Sequence, residues 1–215
     1  MTVSGLYPLL SEGALPLADF PPAARMLADL GVSVLQVRLK GASDRQRLGV
    51  QRAVADALTD VGFRGTLVVN DRADLARVLA DEYPLRVGLH LGQDDLPPRS
   101  ARDIVGPDVV IGLSTHDAQQ LALGLEAPVD YLAFGPIFAT ATKAKADPVV
   151  GVEGLAAASQ AVRSHARPRP LVAIGGLDPA RAKACAAVGA DAWAVAQALF
   201  ADGLVGMVHR VGAFA

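Results

Sequence analysis

Residues 67–95 read LVVNDRADLARVLADEYPLRVGLHLGQDD, and the fold can be worked out from the pattern in this stretch. A short apolar run, Leu67–Val69, ends at the polar residues Asn70-Asp71 and is followed by a helical pattern. A second apolar run, Val87–Leu89, then ends at another polar cluster. Short apolar runs separated by helical segments are typical of buried parallel strands with crossover helices. The stretch therefore predicts a strand–helix–strand unit.

The same alternation occurs eight times along the 215 residues. Eight strand–helix units predict an α/β fold, a (β/α)8 TIM barrel, formed by one domain over residues 1–215. Active sites of this fold lie at the carboxyl ends of the strands, so the polar clusters there are candidate site residues. The predicted strands are Leu6–Leu10, Val34–Val37, Leu67–Val69, Val87–Leu89, Val109–Leu113, Tyr131–Phe134, Leu171–Ile174 and Ala192–Val195.

Capping residues, prolines and glycines predict where the helices begin and end. Asp81–Arg86 is predicted to be a surface insertion before strand four. Five helices are predicted over Asp19–Leu30, Ser43–Val61, Asp71–Ala80, Pro98–Val105 and Asp202–Val211. The fifth helix in chain order is predicted to be capped by Asp117, and the sixth to start at Glu153. The seventh is predicted to begin at the cap Asp178-Pro179 and to end at Gly189.

Composition narrows the classes of function. The hydrophobic fraction of 52% is sufficient for a core, and a net charge of −2 without a basic block argues against nucleic-acid or membrane partners. No apolar stretch approaches the roughly 18 residues of a membrane span, and the N-terminus does not resemble a signal peptide. The single cysteine, Cys185, excludes a disulfide framework. We expect a cytoplasmic protein, and a homo-oligomer is left open.

Strand two ends with three polar side chains on one face. Gln36, Arg38 and Lys40 alternate with apolar residues, so all three point toward the barrel interior and its mouth. Burying unpaired cations is costly, and an anionic ligand would satisfy Arg38 and Lys40. The alternative is an ion pair with a neighbouring carboxylate such as Asp71.

Strands three and four end in carboxylates. Asp71 and Asp95 at adjacent strand ends suit a Mg²⁺ ion that keeps several waters and takes phosphate oxygens from a substrate. As alternatives, Asp71 would cap the following helix, and Asp94 or Asp95 would be a turn carboxylate before Pro97. His90 is as consistent with a hydrogen-bonded packing residue as with a catalyst.

Strand five ends at Ser114, which can hydrogen-bond a ligand or simply belong to the loop that leads into the next helix. No nucleophile-elbow pattern flanks it. After strand six, residues 135–143 end in Lys143 and predict a loop that closes over a phosphorylated ligand, with an ordinary flexible loop as the alternative.

Strand seven ends at Gly175-Gly176, and the loop after strand eight contains Ala196-Gln197. Glycines allow a phosphate to approach the backbone closely, and the loops after strands seven and eight are the usual phosphate site of this fold. The ring thus has a metal-assisted anion site on strands two to four and a backbone anion site on strands seven and eight. This arrangement suits an enzyme that joins or rearranges phosphorylated small molecules.

Several segments together resemble the thiamine-phosphate synthase family over nearly the whole chain. They are Gln36-Val37-Arg38-Leu39-Lys40, Asn70-Asp71-Arg72, residues 90–97, Gly112-Leu113-Ser114-Thr115-His116, Phe134-Gly135-Pro136-Ile137-Phe138 and Ala173-Ile174-Gly175-Gly176. The resemblance implies that a hydroxymethylpyrimidine diphosphate reacts with a thiazole phosphate to give thiamine phosphate and pyrophosphate.

The resemblance also implies roles for individual residues. Mg²⁺, the expected cofactor, would bind Asp71 and Asp95. Asn70 and Ser114 would contact the pyrimidine substrate. The diphosphate would be held by Gln36, Arg38, Lys40 and Lys143, and the thiazole phosphate by Thr140, Ala141, Thr142, Gly176, Ala196 and Gln197.

The chain departs from the family pattern at three places. The family usually has serine where Gln197 stands, proline where Ala141 stands, and a Thr-Asp pair where strand one continues into Ser11-Glu12. Two other functions remain alternatives: a thiazole tautomerase-like isomerase, and a non-catalytic barrel that binds phosphorylated ligands. The tautomerase branch generally lacks the complete set of diphosphate-binding and acidic residues. This chain has all of them, which favours the synthase: Gln36, Arg38, Lys40, Asp71 and Asp95.

Overall fold

Parallel strands pair in chain order around a closed ring. The computed structural model describes residues 3–139 and 148–214, and within them eight strands form the barrel, with the last paired to the first. The predicted TIM barrel is therefore confirmed. The strands are β1 (Gly5–Ser11), β2 (Val34–Arg38), β3 (Thr66–Asn70), β4 (Arg86–Leu91), β5 (Val110–Thr115), β6 (Tyr131–Phe134), β7 (Leu171–Ile174) and β8 (Ala192–Val195).

Helices follow the strands, and several begin at the predicted caps. The Ser43 hydroxyl and the Gln46 side chain form a reciprocal capping box, while Asp117 and Asp178 accept hydrogen bonds from backbone N–H groups at their helix starts. The helices are α1 (Phe20–Asp29), α2 (Asp44–Asp60), α3 (Ala73–Glu82), α4 (Pro98–Val105), α5 (Ala118–Glu126), α6 (Gly151–Ser164), α7 (Pro179–Ala187), α8 (Gln197–Phe200) and α9 (Gly203–Ala213).

Three predicted details of the helices are wrong. Helix α3 begins at Ala73 rather than Asp71, because Asp71 adopts a left-handed conformation with φ of 64° that cannot continue a right-handed helix. Residues 81–86 are not an insertion, since α3 extends to Glu82 and β4 begins at Arg86. Helix α6 begins at Gly151, two residues before Glu153.

The apolar residues form two layers because successive strand side chains face opposite sides. In β2, Val34 packs inside the barrel with Tyr7 and Val68, whereas Leu35 and Val37 pack against the helices outside. Each such fully buried aliphatic side chain contributes roughly 1.5–3 kcal/mol. Among the described residues, no helix has both the length and the apolar character needed to cross a membrane.

Candidate active site

A cavity of about 420 Å³ opens at the carboxyl ends of the strands. Its lining comes from both ends of the sequence because the barrel closes β8 onto β1. Six of the predicted site residues line it, namely Arg38, Ser114, Gly175, Gly176, Ala196 and Gln197. The residues Thr140, Ala141, Thr142 and Lys143, also predicted to belong to the site, lie outside the described part of the chain.

The two predicted metal-binding carboxylates face each other. The Asp95 side chain is close enough to Asp71 to hydrogen-bond with it, and burial together with this neighbouring carboxylate raises the pKa of Asp71. The positive charges of Lys40 and Arg38 act to lower the pKa of Asp71. The Lys40 Nζ lies 3.6 Å from the Asp71 Oδ2. The ion pair considered as an alternative for Lys40 is thus present, at the same place as the carboxylate pair.

Backbone contacts hold both carboxylates in position. The Asp71 N–H donates to the His90 carbonyl oxygen at 2.8 Å, which fixes Asp71 in its left-handed conformation. Such a conformation costs of order 1–3 kcal/mol in a non-glycine residue and is concentrated at functional sites. The Asp95 Oδ2 accepts a hydrogen bond from the Gly92 N–H at 2.7 Å, so Asp95 is also the turn carboxylate considered in the sequence.

Asn70 ends β3 beside this carboxylate pair. Its Nδ2 is buried and has no hydrogen-bond partner among the described residues. An unsatisfied buried amide costs about 1–3 kcal/mol, so a ligand acceptor that reached Asn70 would recover this free energy. This is the contact expected of a residue that binds substrate.

Gln36 and Ser114 are connected through buried aromatic residues. The Gln36 Nε2 donates to the Tyr7 hydroxyl at 3.4 Å, and the His90 Nε2 lies 2.8 Å from the Ser114 Oγ. Tyr131 links Tyr7 to His90, so His90 is a hydrogen-bonded, 7% exposed packing residue. Sequence reasoning did not single out Tyr7 or Tyr131, although a tyrosine in an apolar strand needs a partner for its hydroxyl.

Two glycines allow the loops after β6 and β7 to approach each other. Gly175 and Gly176 have φ of 103° and 63°, and a Cβ on Gly176 would lie 2.6 Å from the Ala139 carbonyl oxygen. The Phe138 N–H donates to the Gly175 carbonyl oxygen at 3.1 Å. The glycine pair therefore forms one wall of the cavity together with the loop after β6.

Arg181 of α7 also lines this wall, and the sequence analysis missed it. Its Nη1 donates to the Gly176 carbonyl oxygen at 2.7 Å, and its guanidinium lies 4.6 Å from the centre of the Phe138 ring. The signal in the sequence was weak, because an arginine three residues after the Asp178 cap is common on exposed helices. Arg181 therefore supports the backbone of Gly176 at the cavity wall.

Next to the glycine wall, the start of α8 also lines the cavity, because β8 is the neighbour of β7 in the barrel. Ala196 occupies the N-cap position without a side-chain cap, and Gln197 begins the helix with an exposed side chain. His116 also lines the cavity, and its Nδ1 lies 2.5 Å from the Gly135 carbonyl oxygen. Since a carbonyl oxygen only accepts, this nitrogen carries a proton.

A barrel with cations, paired carboxylates and a glycine wall gathered at the carboxyl ends of its strands defines a TIM-barrel enzyme. Comparison with known proteins identifies the family to which this enzyme belongs. The chain belongs to the thiamine monophosphate synthase family, whose family model matches residues 6–199. The family resemblance predicted from the sequence is confirmed, and the protein is a transferase.

Individual relatives agree with this assignment. The chain is 44% identical over 186 residues to the thiamine-phosphate synthase of Koribacter versatilis, covering 86% of this chain and 82% of the relative. It is 33% identical over 195 residues to that of Agrobacterium fabrum, covering 91% and 86%. The solved thiamine phosphate pyrophosphorylase from Pyrococcus furiosus superposes with a TM-score of 0.78 at 26% identity, over 98% of this chain and 93% of that one.

Proposed function

We propose that this protein joins a hydroxymethylpyrimidine diphosphate to a thiazole phosphate. The thiazole nitrogen forms a bond to the pyrimidine methylene carbon, the bond from that carbon to the diphosphate oxygen breaks, and its electron pair leaves with pyrophosphate. The product is thiamine phosphate. The observation that carries the proposal is the facing pair Asp71 and Asp95 with the Lys40 ammonium 3.6 Å from Asp71, at the same carboxyl end of the barrel as the glycine wall.

The residues present fit a Mg²⁺ ion at the carboxylate pair. Two ionised carboxylates at one place repel each other, and a bound cation removes that repulsion. No group of three or more acidic, histidine or cysteine side chains that could hold a metal exists among the described residues, so the remaining ligands would be oxygens of water and diphosphate. Such mixed coordination is typical of Mg²⁺, which would neutralise charge that develops on the diphosphate.

The cations of β2 would stabilise the leaving group. Arg38 lines the cavity and Lys40 lies beside Asp71, so we expect both to face the diphosphate oxygens as negative charge accumulates there. Lys143 would join them from the loop after β6. Gln36 would support the diphosphate from the barrel interior, where it is 3% exposed.

The pyrimidine and the thiazole phosphate would occupy the remaining walls. The unpartnered Asn70 Nδ2 and the Ser114 hydroxyl would bind the pyrimidine. The glycine wall and the start of α8 would bind the thiazole phosphate through backbone N–H groups. The residues assigned to that phosphate are Thr140, Ala141, Thr142, Gly175, Gly176, Ala196 and Gln197.

The test is pyrophosphate release from both substrates, with and without Mg²⁺. Release that requires both substrates and the metal supports the synthase. Lys40→Ala and Asp95→Asn should lower kcat at least 100-fold with little change in unfolding midpoint, by analogy with single charge-stabilising groups, each of which contributes about 10²–10³-fold. Lys183→Ala, on the exposed face of α7, is the matched control.

A different result would redirect the assignment. Saturable binding of the thiazole phosphate without any pyrophosphate release would favour the tautomerase or the non-catalytic barrel. Isomerisation of a thiazole carboxylate phosphate, followed by NMR, separates these two. An unimpaired rate in either Lys40→Ala or Asp95→Asn would remove the diphosphate assignment for that residue.

A further inference from the structure

Five side chains from five strands form a continuous hydrogen-bonded path through the barrel, which we call the barrel network: Gln36, Tyr7, Tyr131, His90 and Ser114. The Gln36 Nε2 lies 3.4 Å from the Tyr7 hydroxyl, which lies 2.9 Å from the Tyr131 hydroxyl. That hydroxyl lies 2.9 Å from the His90 Nδ1, and the His90 Nε2 lies 2.8 Å from the Ser114 Oγ. The path ends at the active-site cavity, which Ser114 lines.

Donor chemistry at the Gln36 end sets the direction of the first two bonds. An amide nitrogen donates and does not accept, so the Tyr7 oxygen receives its hydrogen. The proton of the Tyr7 hydroxyl then has the Tyr131 oxygen as its acceptor. Leaving this proton unbonded in a fully buried position would cost about 1–3 kcal/mol.

The remaining two hydrogen bonds run in the same direction, toward the cavity. With its oxygen occupied by the Tyr7 proton, Tyr131 donates to the His90 Nδ1, which must therefore be the unprotonated nitrogen of a neutral imidazole. The proton of His90 is then on Nε2 and is donated to the Ser114 Oγ. The proton of the Ser114 hydroxyl is then left to donate away from His90, into the cavity that Ser114 lines.

Burial and ring packing keep the barrel network in this form. Burial raises the pKa of Tyr7 and of Tyr131 above the ordinary value of 10.0, so both phenols remain protonated. The His90 ring stacks on the Tyr131 ring with centroids 5.6 Å apart and an interplanar angle of 24°, which limits rotation of the imidazole.

We propose that the barrel network fixes His90 as the Nε2–H tautomer and thereby makes the Ser114 hydroxyl a hydrogen-bond donor that selects an unprotonated ring nitrogen of the substrate. The ring-nitrogen part rests on the proposed function, in which Ser114 faces the pyrimidine. Tyr7, Tyr131 and His90 are positioning residues that act through Ser114. A ligand with C–H in place of this nitrogen leaves the Ser114 proton unpaired, and sites built around a hydrogen bond reject such analogues strongly.

The first experiment reads the tautomer without any substrate. Long-range ¹H–¹⁵N correlation spectra at about pH 8.5, where histidines are neutral, distinguish the two tautomers. His90→Gln assigns the signals of His90. We expect the Nε2–H tautomer in the parent protein and in Tyr83→Phe, whose hydroxyl bonds to Asp56 at the surface, and a shift toward Nδ1–H in Tyr131→Phe. An Nδ1–H tautomer in the parent protein would overturn the proposal, whatever reaction the protein catalyses.

The second experiment tests selection of the ring nitrogen. Tyr131→Phe should raise KM for the pyrimidine diphosphate about tenfold, the effect of one hydrogen bond, and leave KM for the thiazole phosphate unchanged. Tyr7→Phe should also raise KM for the pyrimidine diphosphate. Calorimetric binding of the pyrimidine diphosphate gives the same comparison if the protein releases no pyrophosphate.

An analogue supplies the decisive control. Analogues with C–H in place of each pyrimidine ring nitrogen should bind the parent protein weakly, and for one of them Tyr131→Phe and Ser114→Ala should cause no further loss. Two outcomes would show that the barrel network is merely structural. One is that the variants weaken the binding of both analogues further. The other is that Tyr131→Phe raises KM equally for both substrates.

Discussion

The Glu12 carboxylate, directly after β1, accepts hydrogen bonds from the backbone N–H groups of Lys40 and Gly41 at 2.8 and 2.6 Å. These contacts join the loop after β1 to the loop that carries Lys40. Arg47 of α2 holds the same loop from the other side, with its Nη2 donating to the Lys40 carbonyl oxygen at 2.8 Å. The departure from the family pattern at Ser11-Glu12 therefore has a structural role, which is to position Lys40.

Replacing Glu12 should weaken binding of the diphosphate without abolishing activity. Glu12→Ala removes the acceptor for two N–H groups, so we expect KM for the pyrimidine diphosphate to rise severalfold and the free energy of unfolding to fall by about 1–2 kcal/mol. Glu12→Gln keeps an acceptor oxygen and should retain most of both properties. Steady-state kinetics and urea unfolding measure the two effects. An unchanged KM in Glu12→Ala would show that Lys40 is positioned by other contacts.

Gly176 and Gly203 offer a matched pair of substitutions. Both have φ near +64°, so alanine at either position costs about 1–2 kcal/mol in backbone strain. Only at Gly176 would the new Cβ meet the Ala139 carbonyl oxygen, at 2.6 Å, whereas nothing lies within 4 Å at Gly203. We expect Gly176→Ala alone to raise KM for the thiazole phosphate. Equal kinetic parameters in the two variants would contradict a role for this wall in binding.

Gly112 provides the space that Tyr131 occupies. A Cβ at this position would lie 1.9 Å from the Cζ of the Tyr131 ring, a distance that forces the ring to move. Gly112→Ala should lower the free energy of unfolding by about 1–3 kcal/mol. The control, Gly49→Ala on the exposed side of α2, should increase it by about 0.5–1 kcal/mol. Thermal and urea unfolding of both variants measure the difference.

Asp74 should stabilise the fold only above acidic pH. Arg72 bonds to the Asp74 carboxylate at 2.8 and 2.6 Å and holds the pKa of Asp74 below the ordinary 3.8. Because the pKa is lower in the folded state, the stabilisation is fully present above the unfolded-state pKa. It disappears as pH falls through the folded-state pKa. Asp74→Asn should therefore lower the free energy of unfolding at neutral pH by less than about 1 kcal/mol, because the Asp74 side chain is largely exposed.

The comparison at low pH completes this test. At pH values below the folded-state pKa of Asp74, this carboxyl is protonated in both states, and the difference between the parent protein and Asp74→Asn should vanish. Urea unfolding at several pH values provides the curve. The control is Asp103→Asn on α4, since Asp103 has no ion pair in the described part of the chain. A difference for Asp74→Asn that persisted at low pH would assign the effect to packing.

Local patterns in the sequence were sufficient for the strands and for most helix ends. The apolar runs at Tyr131–Phe134 and Leu171–Ile174 coincide with β6 and β7, and Ser43 and Asp178 cap the helices that they were predicted to cap. The prediction failed at Asp71, because its left-handed conformation is stabilised by a hydrogen bond to His90, a residue of the next strand. A contact of that kind leaves no periodic signal.

The candidate site was predictable as a set of residues but not as an arrangement. Side-chain alternation in β2 predicted that Gln36 faces the barrel interior, and its contact with Tyr7 confirms this. The roles proposed for the site residues stay predictions. Arg181 and the short helix α8 were not predicted, since each becomes part of the site only where the loops of neighbouring strands meet at the cavity.

By itself, the sequence determined the fold class, the family and the strand ends at which polar residues gather. The fold class and the strand ends follow from hydrophobic periodicity and capping, which act over a few residues, whereas the family follows from the resemblance of its motifs. Only the tertiary structure decided that Asp71 meets Asp95, that Glu12 holds the Lys40 loop, and that Gln36 reaches Ser114 through two tyrosines and His90. Such distances depend on how the strands are staggered around the closed barrel, a property of all eight strands together.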